Sequence, residues 1–159
     1  MERIPNGWQE ITATYSMPER DLSGIITWKW RTENLMTIIA PVPMHLAWGG
    51  IATRITCHKL IADRLLAALT ECVQTGMGNY ISEGYGGCFA DRAIRGVPTK
   101  LSLHALGIAI DLRVATNPLG GPAEMNPEVV RMFENNGASW GGNFTTRMDP
   151  MHFQFAAGA

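Results

Sequence analysis

The chain has 159 residues, 46% of them hydrophobic, enough to bury one sizeable core without disulfides or a partner, so one compact monomeric domain is expected. A formal net charge of -1 leaves no broad basic surface to neutralise phosphates or anionic lipid, which argues against nucleic-acid and membrane-surface binding. Cys57, Cys72 and Cys88 are widely spaced and include no Cys-x-x-Cys pair, so they read as reduced, buried thiols rather than a zinc knuckle or a redox dithiol.

The first residues carry Glu2, Arg3 and Pro5 with no apolar stretch behind a basic start, so no secretory signal peptide is expected. No apolar run is long enough for a transmembrane helix. Residues 1–50 are interrupted by Pro5, Pro18, Pro41 and Pro43 and carry Trp8, Trp28, Trp30 and Trp48, which predicts an irregular, extended arm packed on the rest. The arm proper is placed at residues 1–40, ahead of a catalytic unit at 41–159.

From Cys57 to Gln74 the apolar positions Leu60, Ile61, Leu65, Ala68, Leu69, Cys72 and Val73 fall at helical spacing, ending before Gly76 and Gly78. Residues 79–87 read as a short strand and a glycine-rich turn. Over residues 107–114, Ile108, Ile110 and Leu112 alternate with Ala109, Asp111 and Arg113, the period of a strand, so Asp111 points away from the isoleucines. Asn126-Pro127-Glu128 is a helix start with Asn as N-cap and Pro at the first helical position, and Gly137 closes that helix. Residues 151–155 read as a final strand with His152 and Gln154 on one face and Phe153 and Phe155 on the other.

Two segments concentrate chemistry, Ser102 to Asp111 and Asp149 to Phe153. A catalytic zinc takes three imidazole or carboxylate ligands and keeps one position open for water, and His104, Asp111 and His152 supply that count. The ligands converge if the strand holding Asp111 pairs antiparallel with the strand holding His152. Asp149, three residues before His152 and stiffened by Pro150, is then free to act as a base, or is simply a turn former ahead of proline. Ser102 reads as a hydrogen-bonding residue of the turn presenting His104, or as a weak substrate contact, and Trp140 as packing beneath the site. His45, in the proline-rich arm, and His58, at the start of the long helix, are not expected to bind metal.

Ser102-x-His104-x6-Asp111 followed by Asp149-x-x-His152 resembles the M15 metallopeptidases, the family of D-alanyl-D-alanine carboxypeptidases and L-alanyl-D-glutamate endopeptidases. Gly87-Cys88-Phe89-Ala90-Asp91-Arg92, Asn117-Pro118-Leu119-Gly120 and Trp140-Gly141-Gly142-Asn143-Phe144 look like the endopeptidase branch that includes phage endolysins. The similarity covers about residues 41–155.

The resemblance implies a zinc ion held by His104, Asp111 and His152, Asp149 as general base, and an upstream arginine that stabilises the oxyanion. Arg92 matches that arginine better than Arg95, although an arginine beside Asp91 in a glycine-rich loop is also a common solvated charge. The implied fold is α+β, a small antiparallel sheet carrying the zinc site and flanked by helices, as in Hedgehog and DD-peptidase folds. The implied activity is bacteriolytic hydrolysis of peptidoglycan stem peptides, with L-alanyl-D-glutamate endopeptidase placed before D-alanyl-D-alanine carboxypeptidase or D,D-endopeptidase. A reading from another class is a non-catalytic wall-binding or phage tail module stabilised by zinc. The expected setting is synthesis in the cytoplasm and action on the cell wall, as for a phage-encoded lysin.

Overall fold

A computed structural model of the chain describes residues 3–158, so Met1 and Glu2 of the expected arm, and Ala159, lie outside the described residues. The rest of the arm is partly regular, with two helices and the start of a strand separated by loop. Helix α1, Gly7–Tyr15, buries Ile11 and Tyr15, and the Tyr15 hydroxyl donates to the Phe155 carbonyl at 2.8 Å. Gly7 N donates to Ala157 O, and Ala157 N to Pro5 O, which ties this segment to the C-terminal end of the chain. Helix α2, Trp28–Asn34, is capped by the Thr27 hydroxyl, which accepts from Trp30 N, and it buries Trp30.

Strand β1, Leu35–His45, follows and pairs antiparallel with β2, Ile51–His58. The register jumps between Ile39 and Met44, where Ala40, Pro41, Val42 and Pro43 lie opposite Thr53 alone. Prolines lack the N–H that a ladder needs, so they are tolerated at this bulge instead of ending the strand. This corrects the expectation of an extended arm. Pro5 and Pro18 sit outside the helices, Pro41 and Pro43 sit in a bulge, and the expected boundary at 40/41 falls inside β1.

The long helix is α3, Ala62–Gln74, with Ala62, Leu65, Ala68, Leu69 and Cys72 buried. It starts later than its apolar spacing suggests. Cys57 and His58 complete β2, because Cys57 pairs with Met36 and His58 N donates to Gly107 O at 2.8 Å. Residues 79–87 also depart from expectation. Gly78–Ser82 form a short helix, α4, and only Tyr85 and Gly87 make isolated bridges, to Leu46 and Asp111.

A small hairpin follows, β3, Ala93–Ile94, and β4, Val97–Leu101, and then a 3-10 turn over Leu103–Leu106. Gly107 ends that turn at φ 70°, and a Cβ there would meet His58 N at 2.8 Å, so glycine is required by both conformation and space. Strand β5 is only Ala109–Asp111, bounded by Gly107 and by Arg113 at φ 54°. Helix α5, Pro127–Asn135, has the N-cap read from sequence, with Asn126 Oδ1 accepting from Glu128 N at 2.8 Å. Strands β6, Ser139–Trp140, and β7, His152–Gln154, complete a three-stranded antiparallel sheet in the order β5-β7-β6.

The β5–β7 register sets Asp111 opposite His152 and Ala109 opposite Gln154. The other face carries Ile110 and Phe153, fully buried, with the Phe153 ring 4.4 Å from that of Phe133 on α5. The architecture is α+β, with small antiparallel sheets and helices around one main core that includes Ile11, Ile38, Leu69 and Phe153. No helix among the described residues is long and apolar enough to cross a membrane.

Candidate metal centre

His104 is delivered by the 3-10 turn that precedes β5. The Ser102 hydroxyl accepts from His104 N at 3.3 Å and caps that turn, while Ser102 N donates to Arg92 O. Antiparallel pairing then brings Asp111 and His152 to the same spot. His104 Nε2 lies 3.2 Å from Asp111 Oδ1, His152 Nδ1 lies 3.0 Å from the same oxygen, and the two ring nitrogens are 3.3 Å apart. All three side chains are buried, and together they form a group able to hold a metal ion.

The protonation pattern explains why a cation fits. His104 Nδ1 is 2.7 Å from the Cys88 carbonyl, which can only accept, so Nδ1 carries the proton and Nε2 presents a lone pair. Gln154 Nε2 donates to Ala156 O at 3.0 Å, which turns its Oε1 toward His152 Nε2 at 3.1 Å. His152 Nε2 therefore donates, and Nδ1 presents its lone pair. Two lone pairs and a carboxylate oxygen thus converge, an arrangement that is repulsive until a cation sits among them. Ligand atoms about 3.3 Å apart are what tetrahedral zinc with bonds of about 2.0–2.1 Å requires. Burial pulls the Asp111 carboxyl up, but protonation of either inward nitrogen would turn it into a donor to Asp111, and that hydrogen bonding and charge outweigh burial and hold the carboxyl well below the usual carboxylate range. For His152, burial opposes protonation, and Asp111 overcomes it to raise the imidazole above its ordinary value.

Asp149 stands at the edge of this group in a turn closed by His152 N donating to Asp149 O at 3.0 Å. Its Oδ1 is buried without a hydrogen-bond partner among the described residues. Burial raises its carboxyl, Asp111 adds to the effect, and His152, His104 and Arg95 oppose it. Gly141 makes the turn possible, since a Cβ there would lie 2.3 Å from Asp149 O and 3.1 Å from His152 Cβ. Trp140 braces the same turn, its indole N–H donating to Pro150 O at 2.8 Å.

Arg92 is not paired with its neighbour Asp91. Asp91 accepts from Ile26 N and pairs with Arg20 at 2.8 Å, whereas Arg92 Nη2 lies 3.9 Å from Asp111 Oδ2. Arg92 and Arg95 both line the cleft of about 610 Å³ that holds His104, Asp111, Asp149 and His152, and Ser102 lines it as well. Trp140 is not among the residues lining it. His58 lies in the core, its Nε2 donating to Tyr15 O at 3.0 Å and its Nδ1 accepting from Leu60 N. Residue identity alone assigns no role to the Cys88 carbonyl or the Gln154 amide in orienting the imidazoles. Gln154 was within reach of pattern reasoning, since alternation puts it on the His152 face. The Cys88 carbonyl was not, because a backbone acceptor leaves no mark in residue identity.

No curated protein and no solved structure matches the chain. Residues 95–155 match the family model described as D-alanyl-D-alanine carboxypeptidase, a span that includes His104, Asp111, Asp149 and His152 and leaves Arg92 outside. The match supports a peptidase of the M15 family, a family of zinc enzymes, and the buried His104, Asp111 and His152 group is consistent with that metal.

Proposed function

We propose that the chain is a zinc-dependent peptidoglycan peptidase that hydrolyses stem-peptide bonds, with the L-alanyl-D-glutamate bond as its first target. The observation that carries this reading is the convergence of His104 Nε2, Asp111 Oδ1 and His152 Nδ1 beside a buried, unpartnered oxygen of Asp149. Zinc bound by those three residues would supply a Lewis acid that activates water and polarises the scissile carbonyl. Asp149 takes the proton of the attacking water and returns it to the leaving amine, and burial, which raises its affinity for a proton, favours that role. Arg92, held near Asp111 and open to the cleft, faces the oxyanion, where one well-placed donor is worth about 3–4 kcal/mol. Ser102 and Gln154 act only by positioning the two imidazoles.

The fold reading that goes with this function is a Hedgehog/DD-peptidase-like domain, a monomer acting on the cell wall as a phage-type lysin does. A second reading, D-alanyl-D-alanine carboxypeptidase, is favoured by the description of the matched family. Mass spectrometry of muropeptides after digestion with the zinc-loaded protein separates the two. New N-terminal D-glutamate supports the endopeptidase, and loss of a terminal D-alanine supports the carboxypeptidase. Asp149→Asn should keep stoichiometric zinc and lose hydrolysis at least 100-fold. Undiminished lysis by that variant would remove Asp149 from the mechanism, and intact muropeptides with the wild-type protein would favour a non-catalytic module.

A further inference from the structure

Residues 89–92 belong to no helix or strand, so no ladder fixes them, yet the metal centre leans on this stretch. Cys88, Ala90 and Arg92, every second residue, turn backbone groups to the segment that carries His104. The Cys88 carbonyl meets His104 Nδ1 at 2.7 Å, Ala90 N donates to His104 O at 3.0 Å, and Arg92 O accepts from Ser102 N at 3.1 Å. The side chains between them, Phe89 and Asp91, are gripped by residues 20–31. Arg31 lays its guanidinium 5.1 Å from the centre of the Phe89 ring. Asp91 Oδ2 accepts from Ile26 N at 2.9 Å and has Arg31 Nη2 at 3.6 Å, while Asp91 Oδ1 has Arg20 Nη1 at 2.8 Å. The gripping segment is itself closed, with Thr27 N donating to Glu19 O and Asp21 N to Ile25 O, both at 2.8 Å. The Asp91 side chain is only 19% exposed, so these partners, more than water, hold its charge. Asp91, Arg20, Ile26 and Arg31 all lie outside residues 95–155, the span that matches the family model.

We propose that Asp91 is a positioning residue of the metal centre: pinned to Ile26, Arg20 and Arg31, it fixes residues 88–92 so that the Cys88 carbonyl stays on His104 and Arg92 stays turned to Asp111. The role rests on the zinc-site reading, and cleavage enters only one arm of its test. Without the carboxylate, Ile26 N–H loses its acceptor in a part-buried place, and Arg20 and Arg31 are left as neighbouring like charges. Residues 88–92 then lose their tie on that side. A Cys88 carbonyl that drifts off Nδ1 no longer fixes the tautomer of His104, and Nε2 no longer presents its lone pair all of the time. The N-terminal segment thereby acts on the metal site at one remove, through Asp91.

The test compares zinc affinity, by competition with a chromophoric chelator, with kcat and KM on muropeptides at saturating zinc. Asp91→Ala should weaken zinc binding about 10-fold and lower kcat about 10-fold with KM nearly unchanged. Asp91→Asn, which keeps an acceptor for Ile26 N, should recover most of both losses. The double variant Arg20→Gln, Arg31→Gln removes the grip from the other side and should weaken zinc binding several-fold. Glu10→Gln, which breaks the exposed Arg3–Glu10 pair on α1, should leave zinc affinity unchanged. Wild-type zinc affinity and kcat in Asp91→Ala, whatever its Tm, overturn the positioning role and leave Asp91 a structural tie. If Asp91→Ala does not fold, Asp91→Asn and the double variant decide, and wild-type zinc affinity in the double variant overturns the role. A loss of the same size in Glu10→Gln also overturns it. Weakened zinc binding in Asp91→Ala, together with wild-type protein that cleaves no muropeptide, leaves the positioning role standing and removes the peptidase reading. Wild-type protein that binds no zinc overturns both.

Discussion

At the scale of single residues, the histidines show how one side-chain type takes opposite roles according to its neighbours. His104 and His152 each have one nitrogen fixed by an acceptor, Cys88 O or Gln154 Oε1, so the other nitrogen is aimed at Asp111. Gln154→Leu should therefore weaken zinc binding about 10- to 100-fold while leaving the fold intact, measured by competition with a chromophoric chelator. An unchanged affinity would mean that the sheet alone orients His152. His58 is the contrasting case, since burial pulls its pKa from 6.5 to about 4, with Tyr15 O opposing and Lys59 assisting. Between those values the unfolded chain binds a proton that the folded chain does not, so stability falls as pH drops through 6.5, and the loss is complete below about 4. At pH 5 this group costs about 2 kcal/mol relative to pH 7. Urea denaturation of wild-type protein and His58→Gln at both pH values should show that difference, and parallel curves would contradict it.

At the scale of elements, the β5–β7 pair is what turns two distant motifs into one site. Its register follows from side-chain alternation, which sends Ile110 and Phe153 to α5 and leaves Asp111 and His152 on the other face. That much was legible in the sequence, because period-2 patterning is written in residue types. The 3-10 turn carrying His104 and the β3–β4 hairpin were not, since short turns are set by backbone contacts such as Ser102 N to Arg92 O. The β6–β7 loop depends on Gly141 in the same way. A Cβ at that position would run into the Asp149 backbone rather than a flexible side chain. Gly141→Ala should thus displace the Asp149 turn and lower kcat about 10-fold or more with zinc content preserved. Wild-type kcat in this variant would show that the turn relaxes without moving the carboxylate.

For the molecule as a whole, the three candidate ligands come from the 3-10 turn, β5 and β7, so an ion held among them would tie together segments far apart in sequence and couple metal to fold. Chelation should lower Tm by roughly 5 to 10 °C, as expected for about 2.7 kcal/mol of linkage at a hundredfold excess over Kd. Zinc should restore both Tm and hydrolysis, and full hydrolysis after exhaustive chelation would end the metal reading. The N-terminal segment joins this same unit. Ile11 and Tyr15 enter the main core, and Trp8 and Met17 reach the cleft, although prolines had suggested an irregular arm. The sequence by itself pointed to His104, Asp111 and His152 as a ligand set with Asp149 beside it, and to the strand faces that carry Asp111 and His152. Those properties reside in residue identity and short-range spacing. Only the tertiary structure decided which lone pairs face inward, that Arg92 turns to Asp111 instead of Asp91, and that Arg147 reaches the Arg95 carbonyl. Each of those depends on contacts between segments that are remote in the chain, where residue type sets what can bond and the fold sets what is near enough to do so.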